Sequence, residues 1–377
     1  MTFTFGATKP GDLFHTFKQR GDQSLIDLRS ESVGDNSTRQ PRTWRLKESA
    51  ELIGCAVKDL TSLGVRELTL DQINTIRDQL GLRYRRPDGS DPMVMSIVNF
   101  KGGVGKTTTC IHLAQRAAIE GLRVLVVDLD PQATTTMNAG NIIPDLELGD
   151  DDLIGEALVN NPDDLKYIIR DTYFPGVDLL PSNLALQDAD LALPNASLNN
   201  AEILGSAATR LTKGLSIVRQ DYDLILIDCS PNMGALTSNA IVASNGLLIP
   251  IPPYSFDSAS FVMLNGALAN LFESTGLSLE YLRILITKHP KTKTANLQER
   301  ALRDLYSPYV MSSVLFETTM IEKVTRSVSS IYDKAPDDQD RRTYLRAREI
   351  MDAVTGEIID DLKTIWSTPK GEGVEHE

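Results

Sequence analysis

The chain has 377 residues, a formal net charge of −13, and 41% hydrophobic against 24% charged residues. That length predicts two or three units with a sizeable core, and the composition excludes a mostly disordered chain. No apolar run approaches the roughly 18 residues of a spanning helix, and no basic-then-apolar leader opens the chain. Cys55, Cys110 and Cys229 stand too far apart for a zinc ribbon, a CxxC redox pair or a disulfide framework. A cytoplasmic enzyme or regulator is expected.

Charge is unevenly placed: residues 1–90 carry a net +2 and residues 91–377 a net −15. An acidic body repels DNA, so any nucleic-acid contact has to come from local patches. In chain order, residues 1–42 predict one helix, about Pro10–Arg29, followed by the polar linker ESVGDNSTRQPR. Residues 43–90 predict a compact helical unit. In RLKESAELIG, the apolar Leu46, Ala50, Leu52 and Ile53 recur at helical spacing before a terminating Gly54. CAVKDLTSLG is a second short helix, VREL a polar connection, and LTLDQINTIRDQLG a third helix with Leu70, Ile73, Ile76 and Leu80 on one side. Two short helices around a glycine-containing turn outline a helix-turn-helix, with a three-helix dimerisation module as the competing reading. RYRRPDGSDP reads as a basic, turn-rich linker.

From residue 91 the pattern changes. MVMSIVNF, RVLVVD, LILID, LLIPI and LRILIT alternate with helical segments, which predicts an α/β domain over 91–366 with a mainly parallel sheet flanked by helices. YVMSSVLF is expected as a late strand, Ile142–Asp164 as an irregular insertion with a short helix, and residues 367–377 as a frayed tail.

The strongest chemical signal is Lys101-Gly102-Gly103-Val104-Gly105-Lys106-Thr107-Thr108, between the strand MVMSIVNF and the helix TTTCIHLAQRAAIEG. Glycines let the backbone turn several N–H groups toward one anion, and the following helix N-terminus adds partial positive charge. Lys106 is placed to reach β- and γ-phosphates, and the Thr107 hydroxyl to ligate Mg²⁺, so ATP and Mg²⁺ are the expected cofactors of a P-loop NTPase. A glycine-rich turn with a chance lysine is the alternative; strand, loop and helix in that order argue against it. Asp128 and Asp130 end the next strand two residues apart, on one side of an extended segment. Asp228 ends LILID, although many buried strands end in a carboxylate.

KGGVGKTT resembles the deviant P-loop of the ParA/MinD superfamily of partition and cell-division-site ATPases. The resemblance implies that Lys101 reaches across an ATP-sandwiched homodimer to the partner's nucleotide, a role like that of an arginine finger. VVDLDPQ is similar to the family's DxDPQ element, which implies that Asp130 orients the attacking water and that Asp128 supports the magnesium shell. LILIDCSP resembles the strand that carries the metal-side aspartate, here Asp228, with Asn232 and Gly234 in a loop that senses the γ-phosphate. Thr287, Lys288 and Pro252, beyond two strand ends, are expected to flank the base; ordinary turns are the other reading.

The long segment before the P-loop resembles the head of the long partition ATPases, which carry an N-terminal winged helix-turn-helix. The recognition helix is expected at Ala56–Leu63. DNA contacts are expected from Arg42, Arg45, Lys58, Thr61, Arg83, Arg85 and Arg86, and a nonspecific DNA surface from Lys323 and Arg326, residues that equally suit a solvated face. The last helix, EIIDDLKTIW, has acids where a lipid-binding helix wants lysines, which argues against a membrane partner. The resemblance implies a nucleoid-associated DNA-partition ATPase. It would bind DNA, be stimulated by a ParB-like centromere-binding protein and repress its own operon. A transcription regulator with a nucleotide switch and a MinD-like positioning ATPase are the alternatives.

Overall fold

A computed structural model describes residues 18–24, 26–27, 39, 41–199, 206–253, 258–333 and 340–368. Residues 18–24 and 26–27 are helical; the rest of the helix expected at Pro10–Arg29, most of the linker after it and the tail from residue 369 lie outside the described residues.

The head is three helices and a small ribbon. Helix Leu46–Ile53 ends at Gly54, whose φ of 84° is a left-handed conformation that an L side chain resists. Helix Val57–Thr61 is shorter than the expected Ala56–Leu63. Helix Leu70–Leu80 starts with a reciprocal cap: Thr69 Oγ1 accepts from Gln72 N at 3.3 Å, and Gln72 Oε1 accepts from Thr69 N at 2.9 Å. Strands β1 (Trp44–Arg45) and β2 (Glu67–Leu68) pair antiparallel, so VREL, read as a polar connection, supplies half of the ribbon.

The body is a seven-stranded sheet. β3 (Met93–Ile97), β4 (Val124–Leu129), β5 (Arg170–Asp171), β6 (Val177–Leu180), β7 (Leu224–Cys229), β8 (Gly246–Ile251) and β9 (Tyr281–Ile286) lie in the order β5-β6-β4-β7-β3-β8-β9. All neighbours are parallel except edge strand β5. Side chains of one strand alternate between two cores: Met93, Met95 and Ile97 face one, Val94 and Val98 the other. Both faces are therefore covered, which is why these strands read as continuous apolar runs.

Helix Lys106–Ile119 and the long helix Arg341–Ser367 cover one face of the sheet. EIIDDLKTIW is the end of that long helix, and Ile358, Ile359, Leu362 and Trp366 are buried in the core. An apolar face already spent on the protein's own sheet is unavailable to lipid. No described helix is long and apolar enough to cross a membrane.

Two expectations are corrected. YVMSSVLF is not a strand; its backbone meets the β9 end of the sheet at isolated bridges, Val310–Ile284 and Phe316–His289, and at the bond from Leu315 N to Ile286 O. The Glu357 carboxylate accepts from Ser312 N (2.7 Å) and Ser313 N (2.6 Å), diverting the N–H groups that a ladder would need. RYRRPDGSDP is not a free linker. Arg83 donates to Gly121 O at 2.8 Å, Tyr84 stacks on Trp366, and Arg86 donates to Gln220 at 3.0 Å. Buried Arg77 joins head to body by donating to Leu52 O (3.0 Å), Asn74 Oδ1 (2.9 Å) and Ile119 O (2.8 Å), the first and last at helix ends. The cores are continuous: Trp44, Leu70 and Ile73 belong with Met93 and Leu113.

Candidate functional site

The site sits at the carboxyl ends of the central strands, where open α/β sheets hold ligands. Asn99 leads into the glycine loop with its amide fixed at both ends. Its Nδ2 donates to Pro250 O at 2.8 Å, and its Oδ1 accepts from Lys101 N at 2.9 Å. Gly103 and Gly105 take φ of 72° and 95°, the left-handed turns that bring successive N–H groups round to the start of helix Lys106–Ile119. Lys106 Nζ donates to Asn99 O (3.2 Å) and Lys101 O (3.4 Å), and burial lowers its pKa. An ammonium curled onto its own loop is a cation waiting for a better acceptor. Lys101 is exposed and has no ion-pair partner among the described residues.

Two carboxylates face each other below the loop. β4 and β7 pair in a register that sets Asp128 directly beside Asp228, both fully buried. Asp228 Oδ2 accepts from the hydroxyls of Thr107 and Thr135, each at 2.7 Å, while Asp228 Oδ1 is buried with no hydrogen-bond partner. Both oxygens of Asp128 are engaged by the loop after it. Oδ1 accepts from Asp130 N (3.1 Å), and Oδ2 from Thr136 N and Oγ1 (2.7 Å each). Burial raises both carboxyl pKa values, and the neighbouring Asp228 charge raises that of Asp128 further. An unpartnered buried oxygen beside a threonine hydroxyl is a donor set that suits a small, hard divalent cation.

The loop between these acids and the next helix is under backbone strain. Ala133 has φ of 50°, a conformation uncommon for a residue with a side chain. Half-exposed Asp130 accepts from Gln132 N at 2.9 Å, and its carbonyl accepts from Ser182 Oγ at 3.1 Å. Helix Thr134–Gly140 then connects distant parts. Thr135 and Thr136 hold the aspartates at one end, and at the other Asn138 O accepts from buried Arg39 at 3.0 Å. Arg39 also pairs with Asp333 and lies 4.2 Å above the Tyr173 ring.

After β7, Asn232 contacts Ser230, and helix Ala235–Ala243 begins at Gly234. Asp190, from helix Leu186–Asn199, accepts from Leu236 N at 2.8 Å. Thr135, Thr136, Asp190 and Asn99 are absent from the sequence-based expectations. Three threonines one residue beyond the DPQ element were the available signal for two of them; nothing local marked the others.

The expected base-flanking residues separate. Thr287 is wholly buried and donates its hydroxyl to Val104 O at 2.7 Å, so it braces the glycine loop and offers no surface to a base. Pro252 is buried beyond β8. Lys288 is exposed and walls a cleft of about 200 Å³ with Gly105, Thr108, Phe316, Thr318 and Ile321. The 315–321 wall was missed: its first two residues, Leu315 and Phe316, fell at the end of the stretch expected as a strand, and nothing local marked residues 317–321.

Several expected DNA contacts are spent inside the protein. Arg42 lies against Glu48 (3.3 Å) and the Trp44 ring (5.1 Å). Arg83 and Arg86 have side chains only 14% and 9% exposed and bond to the body, so neither is free for phosphate. Arg85 pairs with Asp78 at 2.7 Å. Arg45, Lys58 and Thr61 remain exposed on the head. Lys323, paired with Asp340, and Arg326, 4.0 Å from Glu322, are exposed on helix Thr319–Arg326.

Residues 93–271 match a family described as an AAA domain. SopA of Escherichia coli K12 is 32% identical over 350 residues, which cover 86% of this chain and 90% of SopA. A solved partition protein superposes with a TM-score of 0.65 at 19% identity, covering 96% of this chain and all of that one. Cobyrinic acid a,c-diamide synthase from Mycobacterium smegmatis, solved with an ATP analogue and magnesium, gives a TM-score of 0.54 at 24% identity, with 70% and 94% covered.

Proposed function

The chain belongs to the ParA-type partition ATPases, and from that premise we propose that it couples ATP hydrolysis to the segregation of DNA. One observation carries the reading: at the foot of the glycine loop Thr107 donates to one oxygen of Asp228, whose other oxygen is buried and unpartnered.

In this reading the N–H groups of Gly102–Thr108 cradle the phosphates, and Lys106 exchanges its loop carbonyls for β- and γ-phosphoryl oxygens. Thr107 and Asp228 hold the magnesium ion, which when bound supplies charge neutralisation to the phosphoryl oxygens. Asp130, tethered through its own carbonyl and Gln132, positions the attacking water; Asp128 positions that loop. Lys101, exposed at the rim, reaches the nucleotide of a second copy, so that two chains close over two ATP molecules. Lys288 and the 315–321 segment receive the base and ribose.

The closed dimer binds DNA without sequence preference, with Lys323 and Arg326 contributing. Arg45, Lys58 and Thr61 serve operator recognition and autorepression. A ParB-like partner stimulates turnover and releases the DNA. The apolar face of Arg341–Ser367 is buried in the protein's own core, which favours the partition reading over membrane positioning by that helix.

The test is ATP turnover and nucleotide binding, with and without DNA. Lys106→Ala should abolish nucleotide binding. Asp130→Ala should retain binding and lose turnover. If Lys106→Ala binds ATP as the parent does, the loop is not the phosphate site and the reading fails.

A further inference from the structure

Away from the nucleotide site, a groove of about 240 Å³ runs between helices Ile154–Asn160 and Leu186–Asn199. Its floor is apolar, formed by Leu153, Val159, Leu186, Ala189 and Ala192. The two helices approach closely there because Gly155 has no side chain: a Cβ would lie 3.0 Å from Leu186 Cδ1. Around the floor stand Asp150, Glu156 and Asp188, and neither Asp150 nor Asp188 has an ion-pair partner among the described residues.

Size and charge together restrict the occupant. The volume falls below the roughly 300–1,000 Å³ of small-molecule sites, so the groove suits inserted side chains better than a whole ligand. Carboxylates around it repel nucleic acid. A lysine or arginine matches both features, with its methylene stem on the aliphatic floor and its charged head at the carboxylates.

The walls lead directly to the catalytic loops. Asn183 lines the groove, and its neighbour Ser182 donates from Oγ to Asp130 O and from N to Thr136 Oγ1, at 3.1 and 2.9 Å. Helix Leu186–Asn199 supplies both Asp188 to the groove and Asp190 to the start of the helix after Gly234. A segment wedged between these helices acts on both loops that flank the paired aspartates.

We infer that this groove is the docking site for a basic, aliphatic segment of the partner that stimulates hydrolysis. The inference rests on the partition reading and adds to it the place and chemistry of that contact. The probe is a fluorescent synthetic peptide of alternating leucine and arginine, with a leucine–glutamate peptide as control. Anisotropy reads its binding to the full chain, and phosphate release with Mg-ATP reads turnover.

The arginine peptide should bind and raise turnover severalfold, and the glutamate peptide should do neither. Combined Asp150→Asn, Glu156→Gln and Asp188→Asn should weaken binding about tenfold, about 1.4 kcal/mol, with basal turnover unchanged. Ala192→Phe should block binding with every carboxylate in place. Equal binding by the parent, the triple variant and Ala192→Phe would overturn the inference, as would saturating peptide that leaves turnover unaltered. A parent chain that turns over no ATP would count against the partition reading, while the anisotropy arm still decides whether the groove binds.

Discussion

Gly234 offers a test of whether the loop after Asp228 is held from outside. Its φ of −91° is open to any residue, so backbone freedom does not explain the glycine. Space does. A Cβ there would lie 2.1 Å from Asp190 Oδ2 and 2.6 Å from Oδ1, and a normal contact requires the carboxylate to retreat by more than 1 Å. That retreat breaks the 2.8 Å bond from Leu236 N to Asp190. Losing a capping acceptor costs about 1 kcal/mol, and losing a carboxylate at a helix N-terminus about 0.3–1 kcal/mol more. Gly234→Ala should therefore destabilise by about 1–2 kcal/mol, and Asp190→Ala by a similar amount. Removing Asp190 takes away the three atoms nearest the methyl, so the double variant should cost no more than either single change. Urea unfolding of all four proteins gives the coupling energy. Additivity of the two single effects to within about 0.5 kcal/mol would refute the argument that Asp190 sets the shape of this loop.

Three further predictions follow from groups whose environments are equally specific. Burial holds His112 at about 4, below its ordinary 6.5, while its ring accepts from Ile331 N at 3.1 Å. Between those values the unfolded chain takes up a proton that the folded chain refuses. Stability should thus fall as pH is lowered through this window, by about 3 kcal/mol at full extent, and His112→Gln should flatten the slope in paired urea titrations. Arg77→Met should leave the carbonyls of Leu52 and Ile119 buried without donors and cost about 3 kcal/mol, seen as a lower unfolding midpoint. Replacing exposed Arg45 and Lys58 by alanine should weaken operator binding in a mobility-shift assay while leaving ATP-dependent, nonspecific DNA binding intact. Deleting the whole head would be a poorer experiment, because Trp44, Leu70 and Ile73 share a core with the sheet.

Legibility in the sequence followed the reach of each interaction. The central strands were visible because two covered faces demand unbroken apolar runs, and the glycine loop because its turns admit few residues other than glycine. Strands β1, β2 and β5, of two residues each, are too short to express any period. YVMSSVLF had the composition of a strand, but Glu357 takes two of its N–H groups and Arg303 two of its carbonyls. Arginine misled most. Arg83 and Arg86 look like phosphate ligands in a linker, yet their partners are a carbonyl at Gly121 and an amide at Gln220, positions that a one-dimensional reading cannot connect. Asp190 was missed, and Thr287 was assigned to the base, for the same reason: each acts on a backbone atom far away along the chain.

Helix Thr134–Gly140 is seven residues long, about 10 Å of rod. Its first turn is gripped by the paired aspartates and its last by the guanidinium of Arg39. A lever that short scarcely bends, so whatever tugs Thr135 away from Asp228 is felt at residue 39, just ahead of the first strand of the head. One short helix thereby joins the buried aspartate pair to Arg39 by hydrogen bonds at its two ends.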